Sequence, residues 1–342
     1  MLHRLARALL ALSLVPVALH AGGQNRAGTA AAPELLIPVG ARAMALGGAT
    51  LATTASIEAL HWNPAGLARA RTHASMMFST MSYLADVRVH YAAVGARFEP
   101  LGWLALSIKT LDFGEIPITT EMAPDGTGAT FSPTFFTVGA TYARALTDRI
   151  TLGSTAHYVV ERIERVSATG VSFDAGLQYA NLGGIQDLDL GVAVKHIGSR
   201  LQFNGPGLLR PGQLDGLRRP RAAYKVEASS ADLPSTFELG LGYHRTPTAS
   251  GQVALSSVFQ HHNFARDQWK LGVEYQHRKF FAVRAGFDYA GPADDEVYIF
   301  GTSYGFGLRF DLGTLERVRI DYAYTTVDFF DALNTFTFQV DF

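Results

Sequence analysis

Five residues, Gly301-Thr-Ser-Tyr-Gly305, have the G-x-S-x-G spacing of a nucleophile elbow, in which a serine on a sharp turn attacks an acyl carbon. That chemistry needs a strand before Ser303, a helix after it, and a histidine and an acid brought close. FGLRFDL follows instead, an alternating run, so Ser303 is expected in a strand and not as a nucleophile. His261 and His262, with His244 and His277 near them in strand order, raise the question of a metal. Adjacent residues on a strand point to opposite faces and do not chelate together, so these are expected to be solvated loop histidines. Asp294, Asp295 and Glu296 lack the spaced oxygens and turn glycine of a calcium loop. The chain has neither a phosphate-binding P-loop nor an HExxH motif. No catalytic set, metal site or cofactor is implied, and a non-enzymatic protein is expected.

Two charged groups remain. Leu208 to Lys225 is markedly basic, with Arg210, Arg218, Arg219 and Arg221; it would suit acidic lipopolysaccharide groups or a partner's carboxylates, or stand as a solvated loop. The other group is Arg284, Asp288, Arg309, Asp311, Arg317, Arg319, Asp321 and Asp341, spread over consecutive alternating segments on their polar face. Both signs on neighbouring strands can pair across an enclosed space, stiffening the wall and anchoring whatever fills it. A selective pore would use the same residues.

These charges must be positioned by strands. Val318, Ile320, Tyr322 and Tyr324 alternate with Arg317, Arg319, Asp321 and Ala323, and WKLGVEYQ, FELGLGYH and FAVRAGFDY repeat the pattern. Fourteen such segments begin near Ala74, Val87, Gly102, Thr134, Arg149, Val171, Asp187, Thr236, Gly251, Gln268, Phe280, Tyr304, Arg317 and Asn334. The connections alternate in length. Glu99-Pro100-Leu101, Thr147-Asp148 and Arg278-Lys279 are short, while APDGTGATFSP, residues 204–234 and GPADDEVYIFGT lie in long ones. A soluble sandwich would also alternate, but this asymmetry is that of an outer-membrane barrel with periplasmic turns and extracellular loops. The class expected is all-β: a fourteen-stranded antiparallel transmembrane β-barrel over residues 73–342.

Both ends agree. A basic start, MLHRLAR, precedes the apolar run ALLALSLVPVAL and HAGGQ, the layout of a signal peptide over residues 1–21. The other end, NTFTFQVDF, alternates strictly, with Phe338, Val340 and Phe342 on the row expected to face lipid; an aromatic terminus there resembles the signal read by the outer-membrane assembly machinery. The protein is therefore expected in the cell outer membrane, in contact with its lipids. It has no cysteine, so stability must come from burial and a closed hydrogen-bond network. A net charge of −1 argues against a nucleic-acid partner.

Residues 22–72 do not alternate. Gly47-Gly48 interrupts the chain, Thr54 and Ser56 offer caps, and SIEALHW, holding His61 and Trp62, has the spacing of a short helix that Asn63-Pro64 ends. Its apolar content is too high for a disordered leader, and it is expected to be a plug inside the barrel.

GARAMALGGATLA followed by SIEALHWNPAGLA resembles the N-terminal signature of the PorV/PorQ family and, more distantly, of the FadL fatty-acid transporters, which share the NPA at Asn63-Pro64-Ala65. TGATFSPTFFTVGATYARALTDRITLGSTAHYVVERI, GVSFDAGLQY and VRIDYAYTTVDFFDALNTFTFQVDF extend the resemblance over nearly all of the mature chain. It implies a fourteen-stranded outer-membrane barrel with the N-terminal segment folded into it. It also implies a place in type IX secretion, docking or shuttling secreted cargo proteins with other secretion components. A FadL-like transporter of hydrophobic small molecules is the alternative.

Overall fold

The computed structural model describes residues 26–342 apart from 213–221, 249–250, 278–279, 292–297 and 313–314; the side chains at 222, 248, 311–312 and 315–316 are also outside that description. The signal-peptide segment, Arg218, Arg219, Arg221, the Asp294–Glu296 run and the Asp311 side chain therefore lie outside the described residues.

From His73 onward the period of two sets the architecture, because a strand with one greasy and one polar face needs lipid or a core on one side only. The strands are β1 (Ala74–Ser82), β2 (Arg88–Phe98), β3 (Gly102–Asp112), β4 (Ile116–Pro117), β5 (Thr130–Phe131) and β6 (Thr134–Ala145). There follow β7 (Ile150–Ile163), β8 (Val166–Tyr179), β9 (Leu188–Gly198), β10 (Leu209–Gly212), β11 (Ala222–Lys225) and β12 (Thr236–Thr248). The last six are β13 (Gly251–His262), β14 (Gln268–His277), β15 (Phe281–Ala290), β16 (Phe300–Leu312), β17 (Leu315–Val327) and β18 (Leu333–Asp341).

Fourteen of these close into one barrel, each pairing antiparallel with the next, and β18 completes the ring against β1 from Ser75↔Asp341 to Ser82↔Asn334. Closure removes every free edge, the condition for placing sheet in hydrocarbon. Most barrel strands begin within a residue or two of the expected positions, while β8 and β16 start earlier, at Val166 and Phe300. The hairpins β4–β5 and β10–β11, standing in the connections β3 to β6 and β9 to β12, have too few alternating residues to be seen in the sequence. The ends of β3, β9 and β15 that lead into the three long connections lie at one end of the barrel, and residues 99–101 and 146–149 lie at the other.

The outward rows are apolar and exposed, as at Leu104, Leu106 and Ile108 on β3 or Tyr304, Phe306 and Leu308 on β16. Phe338 and Phe342 follow this rule, but Val340 does not: it is 5% exposed. On its own face it lies between those two phenylalanines and across from Met76, whose longer side chains shade it, and it pairs on the other side with Val318, which is buried too. Among the described residues no helix is long and apolar enough to cross a membrane.

A ring of fourteen strands is too wide for its own side chains to fill. Residues 26–72 fill it. Arg26 sits at the long-connection end, its guanidinium 2.9 Å from Asp232 and over the Phe264 ring. From there the chain descends through a 3-10 turn at Pro33–Leu36, a short helix at Ala41–Ala45, the Gly47-Gly48 break, a 3-10 turn at Ser56–Glu58 running into a helical turn at Ala59–Trp62, and a 3-10 stretch at Pro64–Arg69. It reaches the opposite end at His73, whose N–H donates to the Phe342 carbonyl at 2.8 Å. The hydrophobic core lies between segment and wall: Val39, Ile57, Leu60 and Leu67 pack on Met77, Tyr91 and Trp103, and Ile37 and Met44 on Met81, Val89 and Leu111.

Candidate functional site

Three sets of contacts hold this segment. The first centres on Asn63. Its amide donates to the carbonyls of Leu51 at 3.0 Å and Leu177 of β8 at 3.1 Å, while its oxygen accepts from the Ala65 N–H at 3.2 Å and caps the next 3-10 stretch. Pro64 occupies the first position of that stretch, where a missing N–H costs nothing. Wall glycines make room: a Cβ on Gly176 would stand 2.1 Å from the Asn63 oxygen, and one on Gly153 would stand 2.3 Å from the Pro64 carbonyl carbon. Gly47, at φ +61°, comes so close to β15 that an added Cβ would meet the Phe287 nitrogen at 2.8 Å. Trp62 is buried, its indole N–H donating to the Val39 carbonyl at 3.0 Å, and Gly48 packs against its ring. The expected caps are not used as such: Thr54 Oγ1 has no partner among the described residues, and Ser56 bonds to the wall instead.

The second set is ionic. Arg42 of the segment forks onto Glu274 of β14, Nε to Oε2 at 3.0 Å and Nη2 to Oε1 at 3.1 Å. Arg284 of β15 bonds the same carboxylate and reaches Asp321 of β17 at 2.7 Å. Arg319 joins Asp321 at 2.7 Å, Glu58 of the segment at 2.8 Å and Gln339 at 2.7 Å. Three guanidiniums thus face three carboxylates in a buried space, and each charge is compensated. Burial opposes ionisation of Glu58, but Arg319 and then Arg42 outweigh it and hold the carboxyl below its usual range. At the seam, Asp341 accepts from Ser75 of β1 at 2.7 Å, Ser56 of the segment at 3.1 Å and Gln339 at 2.9 Å.

Of the charges expected to line the lumen, Arg284, Arg319, Asp321 and Asp341 meet in this network. Arg309 stands apart and donates to Gln276 at 2.7 Å. Asp288 is nearer the long-connection end, where it accepts from Tyr298. Arg317 is exposed. Arg42, Glu58 and Glu274, which complete the network, carry no distinguishing signal in the sequence: the first two sit in a segment without periodicity, and the third is one of many polar-face residues.

The third region is a cavity of about 330 Å³ between Leu36, Ile37, Met44 and Trp62 of the segment and the inward faces of β9 and β12–β16, toward the long-connection end. His61, Lys195, Glu238, Lys270 and Asp288 line it too, with Lys195 paired to Glu238 at 2.7 Å. His262 also faces it and is buried, so it is not a solvated loop residue; His261, on the opposite face, bonds Asp267 at 2.7 Å. Beyond the cavity Glu34 is buried beside Glu161, both its oxygens lacking a donor among the described residues. Burial first, and the Glu161 charge second, push the Glu34 carboxyl up to about 8. No three His, Cys, Asp or Glu side chains among the described residues are grouped to hold a metal. Ser303 lies in β16 and shares a hydrogen bond with Thr325, a wall contact. Arg210 donates to the Gly207 and Leu209 carbonyls.

A closed antiparallel barrel of fourteen strands, apolar outside and wired inside to its own N-terminal segment, is the fold of outer-membrane channel proteins. Solved structures with this fold include the monoaromatic hydrocarbon channel CymD, at TM-score 0.58 and 13% identity over 90% of this chain and 98% of that one. The Pseudomonas putida toluene transporter TodX matches at TM-score 0.54 and 12% identity over 87% and 96%. A Pseudomonas aeruginosa FadL homologue matches at TM-score 0.53 and 13% over 90% and 99%. In sequence, residues 20–187 match the family of the type IX secretion system protein PorV. The PorV resemblance is thus shown over that stretch, which takes in the luminal segment and β1 to β8; the closing strands, in which it was also read, lie beyond the match. No curated protein matches the chain.

Proposed function

We propose that this chain is a non-enzymatic outer-membrane component of type IX secretion that docks or shuttles secreted cargo proteins at the long-connection end of its barrel. The observation that carries the reading is the PorV match over residues 20–187, which covers the segment locked into the lumen. On this reading residues 1–21 are a cleaved signal peptide, 22–72 a plug and 73–342 the barrel. The long connections lie outside the cell, and Phe338, Val340 and Phe342 form the assembly signal. The basic stretch around Arg210 meets acidic lipid groups or a partner's carboxylates.

Plug contacts support a docking role over free conduction. A segment held by buried ion pairs and by Asn63 does not move aside for each diffusing solute. The second reading, passage of hydrophobic small molecules, has in its favour the barrel shared with CymD and TodX. Against it stand the charges that line the cavity.

Affinity purification of the tagged protein from its own outer membrane in mild detergent decides between them. Co-purification of secreted proteins that share a C-terminal domain is the expected result. Recovery of bound fatty acid or hydrocarbon with no protein partner would overturn the secretion reading.

A further inference from the structure

The cavity is built for more than filler. On the inward faces of β13, β14 and β15 the register sets Val258 opposite Lys270 and Lys270 opposite Asp288, with Gln260 opposite Gln268 one step nearer the long-connection end. The Lys270 ammonium lies 3.9 Å from Asp288 Oδ2, beyond hydrogen-bond reach, and makes no hydrogen bond among the described residues. Asp288 Oδ2 accepts from the Tyr298 hydroxyl, while Oδ1 has no donor among the described residues. Gln260 donates its amide to Glu238 at 3.2 Å, and among the described residues its Oε1 and His262 Nε2 have no partner. All four groups line the same cavity, whose other wall is Leu36, Ile37, Pro38 and Phe300.

We propose that this cavity binds a small zwitterion, an α-amino acid with an apolar side chain. Its ammonium donates to Asp288 Oδ1 and Gln260 Oε1, its carboxylate accepts from Lys270 and His262, and its side chain lies against Leu36, Pro38 and Phe300. The charge pattern selects this class. A ligand of one sign would meet a like charge beside its partner, whereas a ligand of both signs forms charge-assisted bonds at each end. A hydrocarbon or fatty tail would leave the polar atoms dry and unpaired, the arrangement least favoured in a buried site. The volume is at the lower end for small-molecule pockets and suits an amino acid rather than a long chain. The site does not depend on the secretion reading.

Equilibrium dialysis of the full-length protein in detergent tests it, with labelled leucine, methionine and phenylalanine as probes. At least one should bind saturably. Isocaproate and isoamylamine, which each keep one of leucine's charges, should compete about tenfold more weakly or worse, as expected for loss of a charge-assisted contact. Asp288→Asn and Lys270→Met should each weaken binding by a similar factor while the barrel's thermal transition is retained. Three results would overturn the proposal: no binding of any of the three amino acids, equal competition by isocaproate, or binding of decanoate or glucose in their place. Competition on the unmutated protein keeps the test valid if a variant fails to fold.

Discussion

Asn63 joins two parts of the luminal segment to β8 with one side chain. Asn63→Ala leaves the Leu51 and Leu177 carbonyls without this donor and removes a cap, for an expected loss of about 2–4 kcal/mol, read as a lower midpoint in urea or thermal unfolding. Gly176→Ala should act on the same contact from the wall, since its methyl collides with the Asn63 oxygen. Glu34 gives the molecule a pH dependence. Its ordinary value is 4.5 and its folded value about 8, so between these the unfolded chain has given up a proton that the folded chain keeps. The stabilisation from the protonated carboxyl is fully present below 4.5 and is lost as pH rises through 8. Hydrogen exchange at residues 33–37 should therefore quicken between pH 5 and 9, after correction for the intrinsic rate, and Glu34→Gln should flatten the change. Asn63-Pro64 was legible in the sequence because a cap followed by proline has a fixed local meaning. The buried Glu34 was not, because nothing within its own turn shows that Glu161, far along the chain, stands beside it.

Among the elements, the barrel strands were legible almost throughout, since the period of two is written into each one separately. What the strands do together was not. Arg284, Arg319 and Asp321 could be placed on one face, yet Glu58, which pairs with Arg319, and Arg42, which pairs with Glu58, come from a segment with no period to reveal which side chains point at the wall. The network makes a separable prediction. Arg42→Met leaves three carboxylates facing two guanidiniums and should cost about 3–5 kcal/mol, the penalty for breaking a buried pair, with faster proteolysis of the luminal segment in the folded barrel. Adding Glu274→Gln restores the charge balance, and the double variant should recover part of the loss in a double-mutant cycle. Additive losses would mean that Arg42 and Glu274 act independently.

For the whole molecule, the segment's direction is the feature that sequence could not supply. Arg26 lies at the long-connection end and His73 at the other. With the long connections outside the cell, an epitope inserted before Arg26 should bind antibody on intact cells, and one inserted in the turn at residues 99–101 should not. The reverse pattern would invert the barrel's proposed sidedness. The same path bears on how the protein is made. A finished ring offers the segment no way in except by drawing its upstream end through the full lumen, so the wall has to be wrapped around a segment already present. Ser56, Ser75 and Asp341 meet where β1 joins β18, which makes that seam the natural last step of assembly. A chain whose segment misses its seat should then stall before the seam closes, with its edges still unpaired, rather than become an open pore.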